Sequence, residues 1–203
     1  MTIQILSSSL QFYNRDFDID ANNLKVPVFL MQRMSDSQIK EFLKKNGEKV
    51  QEQIINEITT NDRLKKIVQV PLMLYMLIAV VEKEKKIPDN KAHIIRDFLQ
   101  SLYKRERREK DVNFDIENFH LLLCHLGFET RTLADTNSAL SRGEFINPIL
   151  EEGKKKLGLN LTIQNFLTRA TDLNIIVKDK EQYSFAHESY QEYYAAEYLK
   201  LNN

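Results

Sequence analysis

Apolar residues recur at intervals of three and four along most of this chain, and capping residues and prolines punctuate the runs. Ile39, Phe42 and Leu43 form one stripe. It is opened by Ser35 with Gln38 three residues on, a capping-box pattern that predicts a helix start. Val50, Ile54, Ile55 and Ile58, then Leu64, Ile67 and Val68, carry the same period onward. At Pro71 the pattern changes, because residues 72–81 are apolar throughout. A helix apolar on every face must be buried on every face. Proline suits its first position, where the missing N–H would have had no intrahelical partner. Ile94, Ile95, Phe98, Leu99 and Leu102 predict a long helix over 91–110. Phe119, Leu122, Leu123 and Leu126, with Cys124, predict another over 114–132. Ser141 with Glu144 marks a second capping box, for a helix ending before Gly158, and Thr162 opens a third through Asp172.

Strict alternation replaces the helical period near the C-terminus. Residues 173–177 and 182–185, joined by the charged run 178–181, predict a hairpin. Three helices followed by a hairpin are the order of a winged helix. Residues 2–6 and 26–31 read as two short strands, with Pro27 placing the second near an edge or at its start. The fold class expected is mainly α. A strand remnant over 1–34 precedes a helical domain over 35–112 and a winged-helix domain over 113–203. The break falls near residues 110–113, where charge density peaks.

Composition narrows the function classes. Twenty-nine basic and 29 acidic residues cancel, so the chain as a whole has no attraction for nucleic acid or anionic membrane. The basic tail of the long helix, residues 104–110, is interspersed with acids and reads as a solvated, self-paired helix end. Cys124 is the one cysteine, which excludes an intramolecular disulfide framework and fits a reducing compartment. No secretory signal opens the chain, and the longest apolar run, residues 70–81, is shorter than the roughly 20 residues a bilayer span needs. A cytoplasmic chain with no membrane partner is expected.

Catalytic motifs are absent. None of the five glycines sits in the Gly-x4-Gly-Lys-Ser/Thr run that cradles phosphates, and no acidic cluster ends an apolar strand to hold Mg²⁺. No nucleophile–base set or metal-ligand spacing is present. His120 and His125, five apart, do not share a helix face. The chain is not expected to be an enzyme by itself or to hold a cofactor alone.

The most specific stretch is residues 185–199, Phe-Ala-His-Glu-Ser-Tyr-Gln-Glu-Tyr-Tyr-Ala-Ala-Glu-Tyr-Leu. Tyr190, Tyr194 and Tyr198 line one side of a helix, and Ala195 and Ala196 keep another side thin enough for close packing. His187 falls at the strand-to-helix junction, where helix-terminal N–H groups favour anions. This stretch resembles the end of the winged-helix domain in NACHT-type STAND NTPases, where a Phe-x-His strand leads into Gln-Glu-Tyr/Phe-x-Ala-Ala-x-Tyr-Leu. The segment from Val70 to Asn90 resembles the same family's Gly-x-Pro region and the Leu-Pro-x-Asn/Asp turn that follows. Gln69 stands where the family has glycine.

The resemblance implies that residues 1–34 are a remnant of the ATPase core. It also implies that His187 contacts the ADP phosphate and that Pro71 packs against the adenine. The chain would then be the regulatory arm of an ATP/ADP-switched NTPase in signal transduction, innate immunity or antiviral defence. Its partners would be the remainder of the NTPase domain and, on activation, further copies of itself. Ser9 stands at the family's γ-phosphate-sensing arginine, or belongs to a polar turn. Spacing alone favours a capping histidine at His187; the flanking match favours a ligand. Two other classes stay open. One is a winged-helix nucleic-acid-binding module reading through Gln164 and Asn165, with Arg169 the lone cation of that helix. The other is a nucleotide-independent scaffold for protein interaction.

Overall fold

The computed structural model describes residues 33–134, 143–179 and 182–202. The strands expected over 2–6 and 26–31, the position of Ser9 and the Ser141 cap lie outside them. Within the described residues the chain is mainly helical, with one two-stranded antiparallel sheet. It divides into two compact units, Arg33–Glu117 and the part from Asn118 onward.

The first unit opens with α1 (Asp36–Asn46). Its capping box is closed from both sides. Ser35 Oγ accepts from the Gln38 N–H at 3.3 Å, and Gln38 Oε1 accepts from the Ser35 N–H at 2.8 Å. A 3₁₀ turn (Glu48–Val50) leads into α2 (Gln51–Thr60). Asn61 then caps α3 (Asp62–Val68) by accepting from the Leu64 N–H at 3.0 Å. Next come α4 (Pro71–Glu84) and α5 (Lys91–Glu109), the latter capped by Asn90.

α4 is the hub, packed against α1, α3 and, most extensively, α5. Leu74, Met76 and Leu77 are completely buried, each such side chain stabilising the unit by about 1.5–3 kcal/mol through transfer from water. Burial is not uniform around the helix, as the apolar run had suggested. Tyr75 is 52% exposed, its ring centre 6.1 Å from that of Phe98 in an edge-to-face arrangement.

Along α5, Ile94, Ile95, Phe98 and Leu99 point inward as expected, whereas Leu102 is only half-buried. Tyr103 and Glu106 continue the inner stripe in its place, one helical turn after another from Leu99. Glu106 meets the Lys110 ammonium at 3.4 Å, Arg108 pairs with Glu109 at 2.6 Å, and Arg107 donates to the Val112 carbonyl. Arg108 and Lys110 of the basic tail are therefore paired with acids of the same segment, and Arg107 with a backbone carbonyl.

The second unit holds most of α6 (Ile116–Ala134), then α7 (Gly143–Lys156) and α8 (Ile163–Asp172). After these follow β1 (Ile176–Asp179), β2 (Gln182–Phe185) and α9 (Glu188–Leu201). Thr162 caps α8, accepting from the Asn165 N–H at 3.2 Å.

The first strand begins three residues later than its alternating pattern suggested. Residues 173–175 instead close α8. Asn174 takes the left-handed conformation (φ 53°), its N–H donates to the Thr171 carbonyl, and the Ile175 N–H donates to Ala170. This pair of bonds is a Schellman cap, which satisfies carbonyls the helix end would leave unpaired. The strands then pair in register from Ile176 opposite Phe185 to Asp179 opposite Gln182.

Two glycines set the helix spacing here. A Cβ on Gly127 would lie 2.8 Å from Tyr194 Cβ and 3.1 Å from the Ala195 nitrogen, so α6 meets the backbone of α9 directly. A Cβ on Gly153 would lie 2.2 Å from His125 Cδ2, so α7 rests on that ring. No single helix among the described residues is long and apolar enough to cross a membrane. Taken together α3 and α4 would pass by length, but they bend by 112° at their junction.

Candidate functional site

The junction of β2 and α9 is built from the hairpin outward. Phe185 ends the strand half-buried, its ring 5.9 Å from that of Tyr194. The Ala186 N–H donates to the Ile175 carbonyl at 2.8 Å, extending the ladder one residue past the strand. His187 remains extended (φ −152°, ψ 141°) and is the N-cap of α9. Its Nδ1 accepts from the Ser189 N–H at 3.0 Å, and its carbonyl accepts from the Tyr190 N–H at 2.9 Å.

An imidazole that accepts at Nδ1 must, when neutral, carry its proton on Nε2. The cap thus fixes the tautomer and makes Nε2 the donor. Capping and donation use different nitrogens of one half-buried ring, so the two readings of His187 are compatible. Glu188, the first residue of α9, places a carboxylate beside this helix end; Arg131 of α6 meets it at 3.2 Å and offsets the charge. Both partners are about half exposed, so the pair is worth at most about 1 kcal/mol.

Behind the junction the tyrosine stripe is buried as its four-residue spacing predicts. Tyr194 lies 5.6 Å from the ring of His120, and Tyr198 stacks on Phe128 at 4.6 Å. Tyr193 is buried as well, edge-on to Tyr194 at 5.4 Å. The two alanines divide: Ala195 is buried against α6, whereas Ala196 is exposed, so only one of them serves close packing.

Pro71 belongs to the first unit and His187 to the second, and each has its own surroundings. Pro71 is half-buried at the first position of α4, where the sequence places it. It holds Val70 extended (φ −89°, ψ 120°), as a residue before proline must be. Gln69 has ordinary right-handed backbone (φ −64°, ψ −15°), and its carbonyl accepts from the Met34 N–H at 2.8 Å. The position where the resembling family carries glycine therefore needs no glycine here.

Other chemistry-bearing groups are buried into packing. Burial pushes the Cys124 thiol up to about 12, which leaves no reactive thiolate. Burial also holds His120 below its ordinary range, against a smaller opposing effect of Glu197. No group of three metal-ligating side chains occurs among the described residues. The exposed side of α8 presents Gln164, Asn165, Thr168, Thr171 and Asp172, with Arg169 half-buried, which is a face without cationic excess.

From the sequence, His125 is weighed only as a metal ligand and is given no other role. It is completely buried, and neither ring nitrogen has a hydrogen-bond partner. Its ring lies 5.7 Å from that of Tyr198, whose hydroxyl accepts from the Lys156 ammonium at 2.7 Å. The available signal is its spacing, three residues after Leu122 on the apolar stripe of α6.

No protein-family model matches the chain, and no curated protein matches it either.

Proposed function

We propose that this chain is the nucleotide-sensing regulatory arm of a NACHT-type STAND NTPase, holding the closed, ADP-bound state through His187 while Pro71 packs near the adenine. The observation that carries the reading is the His187 cap. A strand delivers the residue to a helix N-terminus, and the Ser189 bond at Nδ1 turns Nε2 into a donor at the end where an anion is favoured. The resemblance over residues 185–199 supplies the ligand class. Arg131 supports it by neutralising Glu188, which would otherwise repel a phosphate.

In this reading the remainder of the NTPase domain supplies the phosphate-cradling loop and the Mg²⁺ ligands. Exchange of ADP for ATP breaks the His187 contact, releases the winged helix and exposes surfaces for self-association. The setting is signalling in immune or antiphage defence. By itself the chain is expected to turn over no ATP above buffer. Turnover that survives purification and vanishes on a point substitution in this chain would overturn that division of labour.

The test uses two substitutions at His187 in the full-length protein, with ADP carry-over and melting temperature read on each. His187→Leu removes both the cap and the donor; His187→Asn restores a good cap but falls short of the Nε2 position. A hydrogen bond to a charged group is worth ~1.5–3 kcal/mol, so ADP retention should drop roughly 10- to 100-fold in both variants. Melting temperature should fall in the leucine variant and recover in the asparagine variant. ADP retention that stays at the wild-type level in both removes His187 as a nucleotide ligand.

A further inference from the structure

We propose that His125 makes the second unit acid-labile, with protonation of its ring parting α7 from α6 and α9. This goes beyond the nucleotide reading and does not depend on it. The geometry is that of a closed box. The ring has no exposed surface, neither nitrogen has a hydrogen-bond partner, and Gly153 of α7 approaches so closely that even a methyl group would not fit between them. Tyr198 of α9 covers another side at 5.7 Å.

The box accommodates a neutral imidazole. An imidazolium needs an acceptor for each of two N–H groups, and the walls do not place two. The Ile149 backbone is the acceptor that acts on the ring, and it favours the protonated form, but one carbonyl cannot serve both N–H groups. The charged and titratable groups facing His125 are Glu129 on its own helix, Glu152 and Lys156 on α7, and Tyr198 on α9. The two carboxylates and the Ile149 backbone favour a protonated ring and the ammonium opposes it. Burial outweighs them all and holds the folded-state pKa below its ordinary value. The carboxylates and water can solvate the imidazolium only once α7 has moved away.

The sign follows from proton counting. Below its ordinary pKa of about 6.5 the unfolded chain binds more protons on His125 than the folded chain, in which burial lowers that pKa. Unfolding therefore takes up a proton, and stability falls as pH falls through and below about 6.5. The folded-to-unfolded ratio should drop by up to about tenfold per pH unit, until the folded pKa is reached.

The experiment follows melting temperature and α7 amide protection, corrected for intrinsic exchange, between pH 8 and 5 in the wild type and in His125→Leu. Leucine fills a similar volume and does not titrate. Wild type should lose stability across this window while the leucine variant stays flatter, with a remaining slope to which the half-buried His120 contributes. Should the variant fail to fold, ¹³Cε1 signals of the four histidines in the wild type decide the matter, with His125 assigned by its ring contacts to Tyr198. A His125 signal that stays neutral until α7 protection is lost supports the proposal. Titration of that signal at any pH with α7 still protected overturns it, as does a leucine variant as acid-labile as the wild type.

Discussion

Leu77→Asp is expected to unfold the first unit outright. Leu77 is completely buried in α4, the helix on which α1, α3 and α5 all pack, and its neighbours Met73, Leu74, Met76, Ile78 and Val81 are buried too. A carboxylate there has no cation to pair with along an apolar helix. It must either ionise without solvent or protonate and remain unsatisfied, at a cost of several kcal/mol. Loss of the leucine side chain adds about 2–5 kcal/mol. Together these approach the ~5–15 kcal/mol that holds a domain folded. Tyr75→Asp is the control two residues away, at a position already half exposed. It should cost no more than the edge contact to Phe98, about 1 kcal/mol. Hydrogen exchange would show α4 and α5 unprotected in the first variant and near normal in the second. An unchanged melting temperature for Leu77→Asp would mean that this face of α4 is not the core.

The comparison between these two positions shows what the sequence makes legible. Continuous apolarity from 72 to 81 announces a buried helix, but it cannot say where the packing ends. Tyr75 lies within that run and faces water, because a tyrosine satisfies either side of a boundary. Caps read more surely: Ser35 with Gln38, and Thr162, sit where their short polar side chains predict, because an unpaired helix-terminal N–H recruits whatever acceptor is local. The misplaced first strand has a local cause as well. Leu173, Asn174 and Ile175 alternate as a strand would, yet Asn174 is among the few residues that enter left-handed backbone readily. The Schellman bonds it permits outweigh the alternation.

The candidate site divides in the same way. The position of His187 at a strand-to-helix junction is legible from Phe185 and the residues after it. Which nitrogen caps the helix, and hence which one can donate, depends on a backbone geometry that no spacing encodes. His125 and Gly153 lie 28 residues apart, on different helices, and become a pair only through helix packing. Single-residue patterns along one helix carry no trace of such a contact.

That pair supplies the second large effect, and one whose sign runs against helix propensity. Gly153→Ala should favour α7 locally by about 1 kcal/mol, since glycine is a poor interior helix residue. The new Cβ would nevertheless stand 2.2 Å from His125 Cδ2, far inside van der Waals contact, and 2.9 Å from both Cγ and Nε2. The ring cannot swing into solvent because it has no exposed edge, and Tyr198 limits its retreat. Overpacking of this kind typically costs about 1–3 kcal/mol, so the substitution should destabilise the second unit on balance. For a unit of this size each kcal/mol lowers the melting temperature by about 4–8 °C. His125→Ala alone should also destabilise, through the cavity it leaves. Combined with Gly153→Ala it removes the obstruction, so the double variant should be more stable than the sum of the two losses, with a coupling of about 0.5–3 kcal/mol. Melting curves of the four proteins at pH 8, where the ring is neutral, make the test. A single Gly153→Ala variant that melts higher than wild type, with strictly additive losses in the cycle, would show that α7 does not rest on the His125 ring, and the acid-labile junction would fall with it.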